Sequence, residues 1–149
     1  MERVVKFRGK DADSSEWHYG SLTVYPNGKC EIVVFDNGEI LEYPVIPESV
    51  GQFTGLYDVN GEEIYEGDVV RNKEVGGYGF EYVGVVRYYD EDARFGIDTT
   101  ATCKFSKRVL FSVGESCIND GHCTITYTNE YKVIGNIHDN PNLSTDGND

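Results

Sequence analysis

The chain lacks an apolar run of the length that crosses a membrane. A spanning helix needs about 20 consecutive apolar residues, and no stretch of the 149 residues approaches that length. No apolar targeting segment precedes the charged start MERVVKFRGKD. The sequence therefore predicts a cytoplasmic protein that does not insert into membranes.

Cysteine is also scarce, at four residues, and the four do not form the dense framework of a small secreted domain. Cys103, Cys117, His122 and Cys123 are residue types that bind zinc, but Cys117 and Cys123 are too far apart in sequence for a zinc knuckle. The same pair could form a disulfide across a hairpin, which would matter little in a reducing cytoplasm. We expect reduced thiols, including Cys30, and no zinc site.

Basic residues are few, since 13 Lys and Arg stand against 26 Asp and Glu and give a net charge of -13. This balance opposes the counterion release that supplies most non-specific affinity for nucleic acid. Lys104, Lys107 and Arg108 form the main basic cluster, and solvated positions on an edge strand explain them better than a DNA contact does. Nucleic acid is therefore not an expected partner.

Signatures of catalysis are missing as well. The three histidines, His18, His122 and His138, stand in separate contexts, and none belongs to a recognisable pattern of nucleophile and base. Residues 76–79 (GGYG) lack the strand-then-helix surroundings of a phosphate-binding loop. We therefore expect a protein that is not an enzyme, with no catalytic residue and no cofactor.

Two acidic segments offer oxygen ligands but suit other structures better. Residues 58–62 (DVNGE) have glycine at the fourth position, whereas an EF-hand loop needs it at the sixth. Asn60 and Gly61 instead suit a β-turn with positive φ angles. The acidic run at residues 90–92 (DED) is typical of a solvated hairpin tip. We expect no metal ion at either segment.

What the chain does have favours short strands. Its 17 glycines, 11 tyrosines and 7 phenylalanines, with only four prolines and one methionine, predict an all-β fold. Turn signals at residues 25–28 (YPNG) and 36–38 (DNG) predict hairpins over residues 1–45. Pro47 followed by Glu48 predicts one or two helical turns in the connection that follows.

The second part of the chain predicts a small barrel. Turns at residues 58–61 (DVNG) and 66–68 (EGD) lead into Val69 and Val70, as at the sharp strand bend of an SH3-like β-barrel. Further strands are predicted at residues 82–89, 95–98, 104–113, 123–127 and 131–138. We therefore divide the chain into an N-terminal β-hairpin subdomain with its connection (1–50), a C-terminal SH3-like β-barrel (51–142) and a disordered tail (143–149).

Tyr78, Tyr82, Tyr88 and Tyr89 form the candidate interface. Exposed tyrosine is a common anchor in interfaces, because its ring buries much area while its hydroxyl stays polar. Adjacent Tyr88 and Tyr89 point to opposite faces of a strand, so at least one of them is expected at the surface. Core packing or cross-strand pairing is the alternative for these rings.

Several segments together resemble the YopX-like family of bacteriophage and prophage proteins. The resemblance is carried by FTGLYDVNGEEIYEGDVVRN (53–72) and VIGNIHDNPN (133–142), and it extends to VKFRGKD (5–11), WHYG (17–20), YPVIPESVGQFTGL (43–56) and YVGVVRYYDED (82–92). It covers nearly the whole chain and implies the cytoplasm of an infected or lysogenic bacterium. It transfers no active residue, because the shared positions Gly55, Gly61, Gly67 and Gly135 serve backbone geometry.

These observations favour a non-enzymatic protein-interaction module. An N-terminal piece of about 45 residues is close to the lower size limit for independent folding, so we expect it to dock on the rest of the chain or on another copy of itself. Homo-oligomers are therefore expected, and a host or phage protein is the further partner that we predict. The alternative is a nucleic-acid-associated module, either a single-strand binder or an acidic mimic of nucleic acid. An enzyme with an unrecognised site is the least favoured hypothesis.

Overall fold

The computed structural model describes residues 1–74, 83–99, 108–110, 116–118, 123–125 and 129–143. Within these residues the chain forms thirteen β-strands and one short 3-10 helix, so the predicted all-β class is confirmed. The strands are β1 (Phe7–Lys10), β2 (Trp17–Val24), β3 (Cys30–Asp36), β4 (Glu39–Val45), β5 (Gly51–Tyr57), β6 (Glu63–Tyr65), β7 (Asp68–Glu74), β8 (Val83–Tyr89), β9 (Arg94–Asp98), β10 (Arg108–Leu110), β11 (Ser116–Ile118), β12 (Cys123–Ile125) and β13 (Asn129–Asn136).

The first compact unit comprises Met1–Leu56 and Glu63–Glu66. Its sheet has the strand order β4-β3-β2-β1-β5-β6, in which β1 to β4 form consecutive antiparallel pairs. The turns that the sequence predicts at Gly28 and Gly38 are present, with φ angles of 85° and 82°. The predicted N-terminal hairpins are therefore confirmed.

The core of this unit lies on one face of the hairpins. Alternate residues of a strand point to opposite faces, and the inward positions of β3 and β4 are apolar. One cluster of the core consists of Cys30, Ile32 and Val45, with Phe7, Leu22, Val34 and Val50 packed against them. A Cβ atom at Gly9 would lie 2.7 Å from the Val45 side chain, so β1 needs glycine to approach β4 this closely.

The predicted helical segment is a 3-10 helix at Pro47–Ser49, which follows β4. The Ser49 hydroxyl donates to the Ile46 carbonyl oxygen at 2.6 Å and accepts the Lys10 amide at 2.8 Å. The connection is thereby fastened to the end of β1.

The second compact unit comprises Tyr57–Glu62 and Gly67–Asp149. Its five-stranded antiparallel sheet has the order β10-β9-β8-β7-β13, and β11 pairs with β12 in a separate hairpin. Its buried apolar residues lie on the central strands and include Val69, Val70, Val85, Val86 and Ile97.

The SH3-like barrel is not confirmed. The described pairings of the second unit form an open sheet with β10 and β13 at its edges. The sequence division assigned residues 51–57 to the second subdomain, whereas β5 pairs with β1 in the first sheet, where Phe7 is opposite Gln52. Residues 144–149 of the predicted tail lie outside the described residues.

Candidate functional site

The hairpin of β3 and β4, hereafter the edge hairpin, presents two apolar side chains to solvent. Phe35 and Ile40 are directly opposite each other in the β3–β4 register, and they are 72% and 62% exposed. The two-residue turn between them uses Asn37 at a φ of 47° and Gly38 at 82°. Positive φ at both positions matches the right-handed twist of the strands. The turn thus fixes Phe35 and Ile40 as a cross-strand pair.

The exposed pair lies on the face opposite the core. Opposed residues of an antiparallel pair share a face, and alternate residues along each strand share it too. Val33 and Glu42, the next opposed pair on this face, are half-buried and exposed, respectively. The other face carries the fully buried Ile32. The apolar pair is therefore additional to the residues that build the core.

The outer side of β4 is an edge of the sheet. Near its end, Val45 forms an isolated bridge with Asp11, and the Ile46 amide donates to the Lys10 carbonyl oxygen at 2.9 Å. From Glu39 to Pro44, no strand in the described part of the chain pairs with this side. An unpaired strand edge presents backbone N–H and C=O groups that can pair with another strand.

The surroundings of the apolar pair are acidic. Residues 30–46 contain four carboxylates, Glu31, Asp36, Glu39 and Glu42, and no Lys, Arg or His. The Tyr25 hydroxyl donates to Glu31 Oε2 at 3.0 Å, and this hydrogen bond raises the pKa of Tyr25 above its ordinary value. The edge hairpin is therefore an apolar surface with a negative rim.

Of the predicted tyrosine interface, two residues lie in the described part of the chain. Tyr88 is 43% exposed, and its ring packs edge-to-face on Phe95 with centroids 5.2 Å apart. Tyr89 is half-buried and lies opposite Arg94. Tyr78 and Tyr82 lie outside the described residues. The four-residue interface stays a prediction.

A second aromatic cluster, which the sequence did not predict, surrounds Arg8. The buried guanidinium lies 4.7 Å from the centre of the Trp17 ring and 5.0 Å from that of Tyr65. Arg8 Nη2 also reaches the Glu66 carbonyl oxygen at 3.4 Å. Cation–π contacts of this kind are strongest where water is excluded. The cluster joins β1, β2 and β6.

Two ionisable groups of this cluster have shifted pKa values. Burial, with the hydrogen bond to Glu63 Oε2 at 2.5 Å, raises the pKa of Tyr65 far above its ordinary range. Burial opposes the charge of Glu63, but the hydrogen bonds from Lys6 and Tyr65 lower its pKa below the ordinary value. The Tyr65 hydroxyl therefore stays protonated and serves as a hydrogen-bond donor.

The turn at residues 58–62 is a structural device. Asp58 Oδ1 accepts the amides of Asn60 and Glu62 at 2.8 and 2.9 Å, and Oδ2 accepts the Val133 amide at 3.2 Å. Gly61 has a φ of 80°, and its amide donates to the Asp58 carbonyl oxygen at 3.0 Å. The predicted β-turn is present, and the Asp58 carboxyl group organises its backbone amides.

His18 is part of a similar structural contact. Its Nε2 lies 3.1 Å from Asp11 Oδ2, and its ring stacks on Tyr43 with centroids 3.7 Å apart. Asp11 Oδ1 accepts the amides of Asp13 and Ser14, and these two bonds with the His18 contact lower the pKa of Asp11. In the described ranges, no group of three or more His, Cys, Asp or Glu side chains is placed to hold a metal ion.

The residues that sequence reasoning missed are Phe35 and Ile40. Their pairing was readable, because both flank the predicted turn at residues 36–38. Their exposure could not be predicted. Residues 32–35 (IVVF) form a continuous apolar run, so no alternation of apolar and polar residues shows which face of the strand meets solvent.

A six-stranded and a five-stranded antiparallel sheet, with a separate two-stranded hairpin, define an all-β protein. The chain belongs to the YopX family, because the family of YopX proteins matches residues 6–144. The family prediction from the sequence is confirmed.

The chain is also similar to a solved structure. The crystal structure of protein EF1440 from Enterococcus faecalis is 23% identical to the chain, with a TM-score of 0.49, and the match covers 95% of this chain and 98% of that one. No significant match to a curated protein was found. Within the residues described, no helix is both long and apolar enough to span a bilayer.

Proposed function

We propose that this YopX-family protein is a non-enzymatic interaction module of a phage or prophage that self-associates in the bacterial cytoplasm and binds a further host or phage protein. The observation that carries the proposal is the exposed Phe35–Ile40 pair on a sheet edge. Burying a side chain of this kind in an interface contributes about 1.5–3 kcal/mol. An exposed strand edge adds hydrogen-bonding groups to the same surface.

The non-enzymatic part of the proposal is supported by the way polar side chains are used. Asp58 accepts backbone amides, and Glu63 accepts hydrogen bonds from Lys6 and Tyr65. Each of these groups stabilises a turn or joins strands. Catalysis needs groups that are placed against a substrate and against one another. The polar groups of this chain with known partners are thus better explained by architecture than by chemistry.

The experiment is light scattering over a series of protein concentrations, with Phe35→Thr and Ile40→Thr as test variants. Threonine keeps the preference for strands while removing apolar area. Val24→Thr is the matched control, because Val24 is also an exposed β-branched residue, at 61%, and lies at the end of β2. We expect wild-type and control protein to form oligomers and the test variants to lose them. A wild-type protein that stays monomeric at every concentration would refute the proposal.

One observation favours a second candidate function. The four carboxylates of residues 30–46 stand without a basic residue between them, as in a protein that mimics the charge of nucleic acid. A basic DNA-binding protein recovered from host lysate, and released by added salt, would support mimicry. Such a complex should survive Phe35→Thr, because screened charge–charge attraction does not depend on the apolar pair.

We also retain two finer proposals about the second unit. The first is that its strands close into an SH3-like barrel; the bulge between Val133 and Gly135 and the Gly67 amide bonded to Val86 are consistent with strong strand bending. A crystal structure tests it. The second is that Tyr78, Tyr82, Tyr88 and Tyr89 form a further interface, which Tyr88→Ser would weaken without changing self-association through the edge hairpin.

A further inference from the structure

We propose that two copies of the chain pair through β4 in a single antiparallel register, in which Ile40 of one copy lies opposite Ile40 of the other. The inference rests on the self-association proposed above and names the surface and register that produce it. The occupant of the β4 edge is thus a second copy of this chain.

Symmetry restricts the registers that need to be compared. A two-fold dimer uses the same surface on both copies, and an antiparallel strand pair has its two-fold axis perpendicular to the sheet. Such an axis keeps outward residues on the outward face, and it passes midway between one residue and the copy of that residue on the other strand. On the free part of β4 the central candidates are Ile40, Leu41 and Glu42.

The charge and polarity of the residues that face each other distinguish these three registers. An axis at Glu42 places two carboxylates directly opposite each other, which is destabilising. An axis at Leu41 places Ile40 opposite Glu42 and interrupts the apolar surface. An axis at Ile40 places Glu39 opposite Leu41 and Glu42 opposite Gly38, so that no carboxylate faces another.

The register centred on Ile40 also joins the two apolar pairs. Phe35 is opposite Ile40 within each hairpin, so the dimer would have a row of four outward side chains across four strands, running Phe35, Ile40, Ile40 and Phe35. Neighbouring strands lie about 4.8 Å apart, which brings these side chains into contact. Each copy would cover apolar area that is exposed in the single chain.

The end of β4 that is already engaged does not obstruct this register. Val45 bridges to Asp11 and marks where the edge is covered. With the axis at Ile40, Val45 of one copy lies beyond the Asn37–Gly38 turn of the other copy. An axis further along β4 moves the covered ends of the two copies toward each other.

Net charge sets the strength of the pairing. Each copy has a charge of -13, so the two repel at low ionic strength, and salt screens that repulsion. A contact of one strand pair and four apolar side chains is at the small end of protein interfaces. We therefore expect weak dimers that become more abundant as salt is raised.

The test is disulfide trapping with Ile40→Cys, Leu41→Cys and Glu42→Cys under mild oxidation, with the linked peptides identified by mass spectrometry. Opposite residues have Cβ atoms about 4.5–5.5 Å apart, close to the distance a disulfide spans. In the proposed register the two copies of residue 42 lie about 14 Å apart. We expect about tenfold more cross-linked dimer from Ile40→Cys than from Glu42→Cys. The wild-type chain, which has the four native cysteines alone, is the control.

A second measurement uses the unmodified chain. Hydrogen exchange at the β4 amides should slow as protein concentration and salt are raised, while the amides of the β2 end near Val24 stay unchanged. Stronger trapping by Leu41→Cys, or wild-type dimers without slower exchange in β4, would overturn the proposed register while self-association survives. A wild-type chain that never associates would refute the proposed function itself. Dimers that dissociate as salt is raised would overturn the apolar pairing.

Discussion

At Gly20 the chain has no room for a Cβ atom, because that atom would overlap the carbonyl oxygen of Val33 on β3. A carbonyl group held in a strand pair cannot move aside without breaking the pair. We predict that Gly20→Ala lowers the free energy of unfolding by about 1–3 kcal/mol, as overpacking does elsewhere. Urea unfolding followed by circular dichroism measures this change. Ser21→Ala, at the exposed neighbouring position, should stay within about 0.5 kcal/mol of wild type.

Asp58 holds backbone amides from two distant segments of the second unit. It is 7% exposed and accepts three backbone amides. We predict that Asp58→Ala destabilises the protein by about 3 kcal/mol, because buried donors are left without acceptors. Asp58→Asn should cost less, since its amide oxygen still accepts. Chemical unfolding gives both values.

The control for Asp58 is Glu62→Ala, which removes a carboxylate from an exposed position of the same turn. A stability change in Glu62→Ala as large as that in Asp58→Ala would mean that charge, and not amide acceptance, explains the effect.

Asp58 also shows how much of a structure a local residue pattern can predict. Its turn was predicted from Asn60 and Gly61, whereas its bond to Val133 required two distant segments to meet.

At the scale of elements, Glu63 ties β6 to the segment just before β1 through its contact with Lys6. The pKa of Glu63 is lower in the folded chain than its ordinary value of 4.5. A carboxyl group of this kind stabilises the fold above that ordinary value, and the stabilisation is lost as pH falls through the folded value. We therefore predict that Glu63→Gln lessens the loss of stability in acid, measured as thermal unfolding over an acidic pH series.

At alkaline pH the same contact changes the stability of the fold in the opposite direction, through the Tyr65 hydroxyl. The pKa of Tyr65 is raised above its ordinary value of 10.0, so the unfolded chain releases this proton at lower pH than the folded chain does. The stabilisation that Tyr65 contributes is complete below pH 10.0 and declines as the pH rises above that value.

For the acid prediction on Glu63, the control is Glu16→Gln, which lies at an exposed position. An equal effect of that variant in acid would contradict the assignment to Glu63.

Local sequence patterns predicted the positions of the strands and of the 3-10 helix far better than they predicted which strands pair. The segment at residues 82–89 was predicted as a strand, and β8 occupies Val83–Tyr89. Pro47 marked the 3-10 helix at Pro47–Ser49. Both depend on residues close in sequence. The pairing of β5 with β1 joins segments more than 40 residues apart, and no local pattern of Gly51 and Gln52 specifies such a partner.

The edge hairpin shows the same limit of prediction from local sequence. The turn at Asn37 and Gly38 was predictable, because positive φ at two successive positions favours these residue types. The exposure of Phe35 depends on which face of β3 covers the core, and that choice is made by contacts of Ile32 with other strands. Tyr88 is exposed, as its residue type predicted. The exposure of Ile40 carries no such signal, because isolated apolar residues at surfaces are common.

For the whole molecule, charge decides which macromolecules can approach. With a net charge of -13, the chain is repelled by phosphates, and lowering the salt concentration should strengthen that repulsion. Most nucleic-acid-binding proteins respond in the opposite direction, because they release counterions on binding. We predict no gel shift of single- or double-stranded DNA, even at low salt, while chain–chain association grows as salt is added.

A DNA band shifted at low salt would contradict this prediction and point to a local basic patch. Lys104, Lys107 and Arg108 are the residues to change in that event, and Arg108 begins β10. Lys104→Glu with Lys107→Glu would then abolish the band, whereas Ile40→Thr would leave it in place. Because one surface is apolar and the other basic, their responses to salt are opposite. The same salt series, applied to both assays, therefore separates an interaction module from a nucleic-acid-binding protein.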